Sequence, residues 1–99
     1  MAFILLISDD AVRDIDEAIE WYESHQNDLG LKFYSILIEH IDQLRSNPFF
    51  QIRYSNVRCL PLSVFPYMIH FTVDSEAQTV IIRAVFNTSL DPKKWRIRK

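Results

Sequence analysis

Residues 8–44 read SDDAVRDIDEAIEWYESHQNDLGLKFYSILIEHIDQL, and the spacing of apolar groups in this stretch decides the fold. In its first half Ala11, Val12, Ile15, Ala18, Ile19 and Tyr22 recur at intervals of three and four. That spacing lines one side of a helix with apolar groups and leaves the acids on the other. Ser8 stands where a helix takes its N-cap, and Asp9 and Asp10 fall in the first turn, where the helix dipole favours negative charge. The pattern predicts a helix through about residue 26. Asn27-Asp28-Leu29-Gly30 interrupts it, and a second stripe follows at Leu31, Phe33, Tyr34, Leu37, Ile38, Ile41 and Leu44, ending before Asn47-Pro48. Two amphipathic stripes joined by so short a break make an antiparallel helical hairpin.

Outward from the hairpin the period changes to two. Upstream, residues 3–7 form an apolar, β-prone run ended by Ser-Asp-Asp, which predicts a short buried strand. Downstream, residues 57–64 suit a strand that Pro61 marks as an edge or a bulge. Residues 67–73 alternate, with Tyr67, Ile69, Phe71 and Val73 facing one way and Met68, His70 and Thr72 the other. Residues 74–77 turn the chain, and residues 79–86 make a last strand, with Val80, Ile82, Ala84 and Phe86 expected to share the core face. The expected order is β-α-α-β-β-β: one α+β domain over residues 1–99, a helical hairpin on one face of a small antiparallel sheet, and a short basic C-terminal tail. The core expected under the hairpin includes Ile69, Phe71, Ile82 and Ala84.

Composition narrows the function. The chain has 99 residues, 48% of them hydrophobic, and a single glycine, Gly30. Gly-rich phosphate-binding loops are excluded, because their tight turns need several glycines. Cys59 is the only cysteine, so neither an intramolecular disulfide nor a cysteine-based zinc site is expected, and a reducing cytoplasm is the natural compartment. No run is long and apolar enough for a membrane span, and residues 1–8 lack the basic start of a signal peptide. The net charge of −2 conceals a division. Residues 1–50 hold ten acids against three bases, whereas residues 51–99 hold three acids against eight bases. This segregation predicts one acidic and one basic surface.

His25, His40 and His70 share no ligand spacing, so no metal and no cofactor are expected. The carboxylate pairs Asp16/Glu20 and Glu20/Glu23 lie on a helix face with nothing apolar to raise a pKa for acid–base work. His70 is placed by the alternation on the sheet face that the hairpin leaves uncovered. The basic half, with Arg53, Arg58, Arg83, Lys93, Lys94, Arg96, Arg98 and Lys99 among Tyr54, Phe86 and Trp95, suits contacts with phosphate or with an acidic protein segment.

The string from Ala11 to Trp21-Tyr22, then Gly30-Leu31-Lys32-Phe33, Asn47-Pro48, Phe65-Pro66-Tyr67-Met68-Ile69, and Ala84-Val85-Phe86-Asn87-Thr88-Ser89-Leu90-Asp91-Pro92-Lys93-Lys94-Trp95 resembles the RelE/ParE superfamily of bacterial toxins. These are plasmid-stabilisation type toxins of type II toxin–antitoxin modules. The resemblance spans nearly the whole chain. It implies a helical hairpin on a small antiparallel sheet, growth inhibition, and a cognate antitoxin as partner. Two activities occur among such toxins: ParE-like members act on DNA gyrase, and RelE-like members cut messenger RNA on the ribosome. The nuclease branch carries cations where this chain has Met68, Cys59 and Pro61, and related members often have His at Asn87 and Arg at Leu90. Met68 cannot neutralise phosphate and Asn87 cannot shuttle a proton, so the ParE-like reading ranks first, with target contacts expected from Arg83, Lys93, Lys94, Trp95 and Arg96. A RelE-like nuclease using His70, Arg83 and Asn87 ranks second, and a degenerate, non-toxic member third. Trp95 has an alternative role as a plug packed back on the sheet. The oligomeric state stays open.

Overall fold

The computed structural model describes residues 2–98, with side chains through Trp95. It contains β1 (Ile4–Ile7), α1 (Asp9–His25), α2 (Leu29–Gln43), β2 (Ile52–Tyr54), β3 (Val57–Pro61), β4 (Tyr67–Asp74), β5 (Thr79–Asn87) and a 3-10 helix (Pro92–Arg98). Ser8 caps α1 as its position suggested. The Ser8 hydroxyl oxygen accepts the Ala11 N–H at 3.2 Å, and its O–H reaches the Arg83 carbonyl at 3.2 Å, tying the start of the helix to the last strand. Ala11, Ile15, Ala18 and Tyr22 of α1 and Phe33, Leu37 and Ile41 of α2 are buried, so the hairpin's inner stripe is as expected.

The turn between the helices is closed by a side chain from the first. Asp28 begins α2 with φ 69° and no capping bond of its own. The Glu23 carboxylate takes that role, accepting the Asp28 N–H at 2.9 Å and the Gly30 N–H at 3.0 Å. Gly30 is required by distance: a Cβ there would lie 2.7 Å from the Ile19 carbonyl oxygen. Beneath the hairpin Tyr22, Phe33, Phe65 and Tyr67 form a knot of rings with centroids 4.8 to 6.1 Å apart.

The strands form one sheet in the order β1-β5-β4-β3-β2, with β1 parallel to β5 and the remaining pairs antiparallel. The sheet is therefore mostly antiparallel, as expected, with β1 added as a parallel strand. The buried strand expected at residues 3–7 is an edge strand. Phe3 is buried, but Ile4, Leu6 and Ile7 are exposed, because the sheet continues only on the β5 side. The strand expected over residues 57–64 stops at Pro61, and a short strand not foreseen in the sequence, β2, precedes it. Val12 on α1 and Leu31, Tyr34 and Ile38 on α2 are exposed, so only part of each apolar stripe faces the core.

One irregularity reorganises the last strand. Phe71 pairs with Ile82 and His70 with Ala84, which leaves Arg83 as an extra residue in β5. Before this bulge Val80 and Ile82 enter the main core; after it the parity reverses, and Val85 enters instead. Ala84, expected under the hairpin, pairs with His70 on the opposite face, and Phe86 packs there too.

Two measurements follow from this packing. Leu37→Ala should lower the unfolding free energy by about 2–5 kcal/mol, as loss of a fully buried leucine does. Gly30→Ala, which in an ordinary helix interior gains roughly 1 kcal/mol, should instead destabilise in urea titration, because the new methyl collides with the Ile19 backbone. A Gly30→Ala protein at least as stable as the parent would show that the helices can separate freely.

Candidate functional site

The sheet face turned away from the hairpin is covered. Tyr54 from β2, Val57 and Cys59 from β3, Met68 from β4 and Trp95 from the 3-10 helix bury one another there, with Phe86 and Leu90 alongside. His70 lies at the centre and is completely buried, which corrects its expected position on an open face. The hairpin alone leaves that face open, and the chain after β5 folds back to fill it. The His70 ring stands 4.8 Å from the Trp95 ring and 5.0 Å from that of Phe86, measured between centroids. Its Nδ1 is 3.0 Å from the Tyr54 hydroxyl and 3.5 Å from the Cys59 sulfur. Trp95 is only 9% exposed and its ring lies 5.4 Å from that of Tyr54, so the indole occupies the plug position. Its N–H is buried with no hydrogen-bond partner among the described residues.

Beside this cluster a cavity of about 310 Å³ opens toward the start of α1. Ser8, Asp10, Asn56, Thr72 and Arg83 supply its polar lining, and Tyr54 and Trp95 its aromatic lining. The bulge aims Arg83 here, and its Nε–H donates to the Thr72 hydroxyl at 3.2 Å. Lys93 and Lys94 are exposed in the 3-10 helix, which Asp91 starts by accepting the Lys93 N–H at 2.9 Å. Arg83, Trp95 and the segment bearing both lysines thus belong to one side of the molecule. The Arg96 side chain lies outside the described residues. The cavity combines the Arg83 guanidinium and the Asp10 carboxylate with the aromatic surface of Tyr54 and Trp95.

The residues weighed for nuclease work are dispersed. His70 is interior, Arg83 lines the cavity, and Asn87 lines a different cleft between α1 and the end of β5, where its side-chain oxygen accepts from Ser89. Met68 faces Pro61 across the β3–β4 ladder, and Cys59 faces His70. In the sequence Tyr54 stands out only as one of the aromatics of the basic half. Its role in enclosing His70 follows from β2, a strand too short to register as a periodic signal.

Burial pushes the Cys59 thiol up to about 11 from its ordinary 9.0, a rise that the Arg53 cation only partly opposes. The native state therefore favours the neutral thiol. Its contribution to stability is complete below pH 9.0 and is lost as the pH rises toward about 11, because the unfolded chain releases its proton first. Iodoacetamide should label native Cys59 far more slowly than urea-unfolded chain at about pH 8. Equal rates would show a thiolate open to solvent.

Comparison with known proteins agrees with this architecture. No curated protein sequence gives a significant match. Among solved structures, a chain of the chromosomal ParDE toxin–antitoxin system from P. aeruginosa superposes with a TM-score of 0.77 at 19% identity, covering 89% of this chain and 98% of that one. The toxin–antitoxin complex RelBE2 from Mycobacterium tuberculosis gives 0.65 at 16% identity, over 88% of this chain and 92% of the other. The isolated E. coli RelE toxin gives 0.57 at 12% identity, over 97% and 95% respectively. At such identities these likenesses concern the fold. The sequence family described as the ParE toxin of the type II toxin–antitoxin system parDE matches residues 5–92. Its extent over both helices and every strand makes the assignment: this chain belongs to the ParE toxin family of type II toxin–antitoxin systems.

Proposed function

We propose that this toxin stops growth by binding a target such as DNA gyrase, without chemistry of its own, and is neutralised by a cognate antitoxin. The observation that carries this reading is the burial of His70 under Trp95, with Met68 and Cys59 as close neighbours on the same face. Ribosome-dependent RNA cleavage needs a proton acceptor and cations that reach the phosphate. Here that face presents an enclosed imidazole, a thioether and a neutral thiol. The cations sit at its margin, on Arg83, Lys93 and Lys94, where they suit docking onto an acidic surface. Trp95 anchors the basic segment and thereby positions its charges. Arg96 is assigned to the same contact from its place in the sequence.

The antitoxin's expected footprint is the exposed apolar surface. Leu31, Tyr34 and Ile38 form a ridge along α2 that suits an amphipathic helix, and the outer edge of β1, with Ile4 and Leu6 exposed, suits an added strand. The protein is assigned to the cytoplasm, in keeping with its lone thiol and the lack of a membrane-length apolar helix among the described residues.

Induced expression without antitoxin should arrest growth with signs of DNA damage, and purified protein should inhibit gyrase supercoiling or trap its cleaved complex while transcripts stay intact. Replacing Arg83, Lys93 and Lys94 together with Ala should abolish arrest and leave the melting temperature nearly unchanged, since all three are exposed. Trp95→Ala should lose toxicity and stability together. Codon-specific transcript cleavage that disappears with His70→Ala would replace this reading with that of a nuclease.

A further inference from the structure

The second cleft, about 530 Å³ in volume, lies between α1 and the distal end of β5, outside the surface assigned to the target. It exists because β1 is shorter than β5. The β1 ladder ends at the pairing of Ile7 with Ile82, so residues 83–87 of β5 have β4 on one side and no strand on the other. Asp14 fills part of that gap by accepting the Val85 N–H at 3.0 Å, which engages this edge donor and leaves side chains as what the cleft offers. Those side chains are of two kinds. Asp14 and Glu17 bring carboxylates, and Glu17 is exposed and has no ion-pair partner among the described residues. Trp21, Tyr22, Tyr67 and Phe86 bring ring surface, with Trp21 56% exposed and its indole stacked on His25 at 3.9 Å.

Carboxylates beside exposed ring faces define a narrow class of ligand. An anion is repelled, and a purely apolar side chain would desolvate Glu17 without replacing its water. A guanidinium satisfies both walls, since it pairs with carboxylate oxygens through a planar fork of N–H donors and stacks on aromatic faces. We infer that this cleft receives an arginine side chain presented by the antitoxin. The partner's identity rests on the toxin–antitoxin reading; the chemistry of the cleft does not. Charge complementarity selects the occupant, because the two charged residues of the lining, Asp14 and Glu17, are both acidic. A second copy presenting its basic surface is the alternative occupant, which the test distinguishes as a dimer of the free chain. Antitoxin and target then meet surfaces of opposite sign.

The test uses the folded chain and the capped peptide acetyl-Ala-Leu-Arg-Leu-Ala-amide, with a second peptide carrying citrulline, the uncharged isostere, in place of arginine. In proton–nitrogen spectra the arginine peptide should shift the Trp21 indole and the Glu17 and Asn87 amides. It should bind about tenfold more tightly than the citrulline peptide, the scale of one partly desolvated cation pair with ring stacking. Glu17→Gln and Trp21→Ala should each reduce that preference without lowering the melting temperature. In cells, antitoxin coexpressed with the Glu17→Gln/Trp21→Ala toxin should copurify less and relieve arrest less. Equal binding of the two peptides, no binding of either, or shifts confined to another surface would overturn the inference. So would full neutralisation of the double variant, or a dimer of the free chain that Glu17→Gln dissolves. A parent chain that fails to arrest growth would count against the functional reading, while the peptide titration would still decide the cleft.

Discussion

The extra residue in β5 governs more of this molecule than any other single feature. Without the bulge at Arg83 the strand would alternate uninterrupted, and Ala84 and Phe86 would face the hairpin with Val80 and Ile82. With it, Val85 turns inward beneath α1, Phe86 joins the rings around His70, and Arg83 projects beside Thr72. The backbone on either side of the bulge is held from the α1 end, by Ser8 at the Arg83 carbonyl and by Asp14 at the Val85 N–H. A bulge unsupported by partners would forfeit ladder bonds; here side chains from a neighbouring element restore them. The cavity beside Trp95 and the cleft beside Trp21 both draw their walls from this stretch of strand.

A second consequence concerns the layers. A sheet with helices on one face alone leaves the other to water, and its outer residues are then polar. Here that face carries Cys59, Met68 and His70, too apolar a set to leave wet, and Trp95 covers them. A segment after the last strand thus completes the fold and carries exposed cations as well. The basic surface and the integrity of that second cluster are mechanically one unit. Burying the His70 and Trp95 rings has a polar cost, since each brings N–H groups into an apolar setting, and the Tyr54 hydroxyl offsets part of it.

Much of this was legible in the chain. The hairpin followed from spacings of three and four, its start from Ser8, and the β4 faces from strict alternation. The family resemblance rests on segments that fall almost wholly within residues 5–92, the span that the ParE toxin family matches. The illegible features share a physical cause: they depend on what lies across the sheet. A bulge made at an arginine, with no glycine to mark it, has no local signature. β2 is too short to establish a period. The exposure of β1 depends on its edge position, and the outer ridge of α2 shows the same periodicity as the buried stripe beside it. Alternation places His70 on the correct face but not under its cover, because it reports parity and says nothing of what folds over that face. Glu23 reads in the sequence as one member of an acidic pair, while its use in closing the hairpin depends on the geometry of the turn.

The parallel pairing of β1 with β5 also sets an order of events. The hairpin forms from contacts close in sequence, and β3, β4 and β5 can zip together as successive neighbours. β1 is different, because the bond from Ser8 to Arg83 joins positions 75 residues apart. Closing so long a loop draws on chain entropy that only a nearly complete sheet can offset. During synthesis the first strand emerges early and waits, apolar and unpaired, for the last. The walls of both cavities also await β5, so both cavities are among the last parts of the protein to form. The cavity lined by Ser8 and Arg83 is complete only once these two distant segments have met.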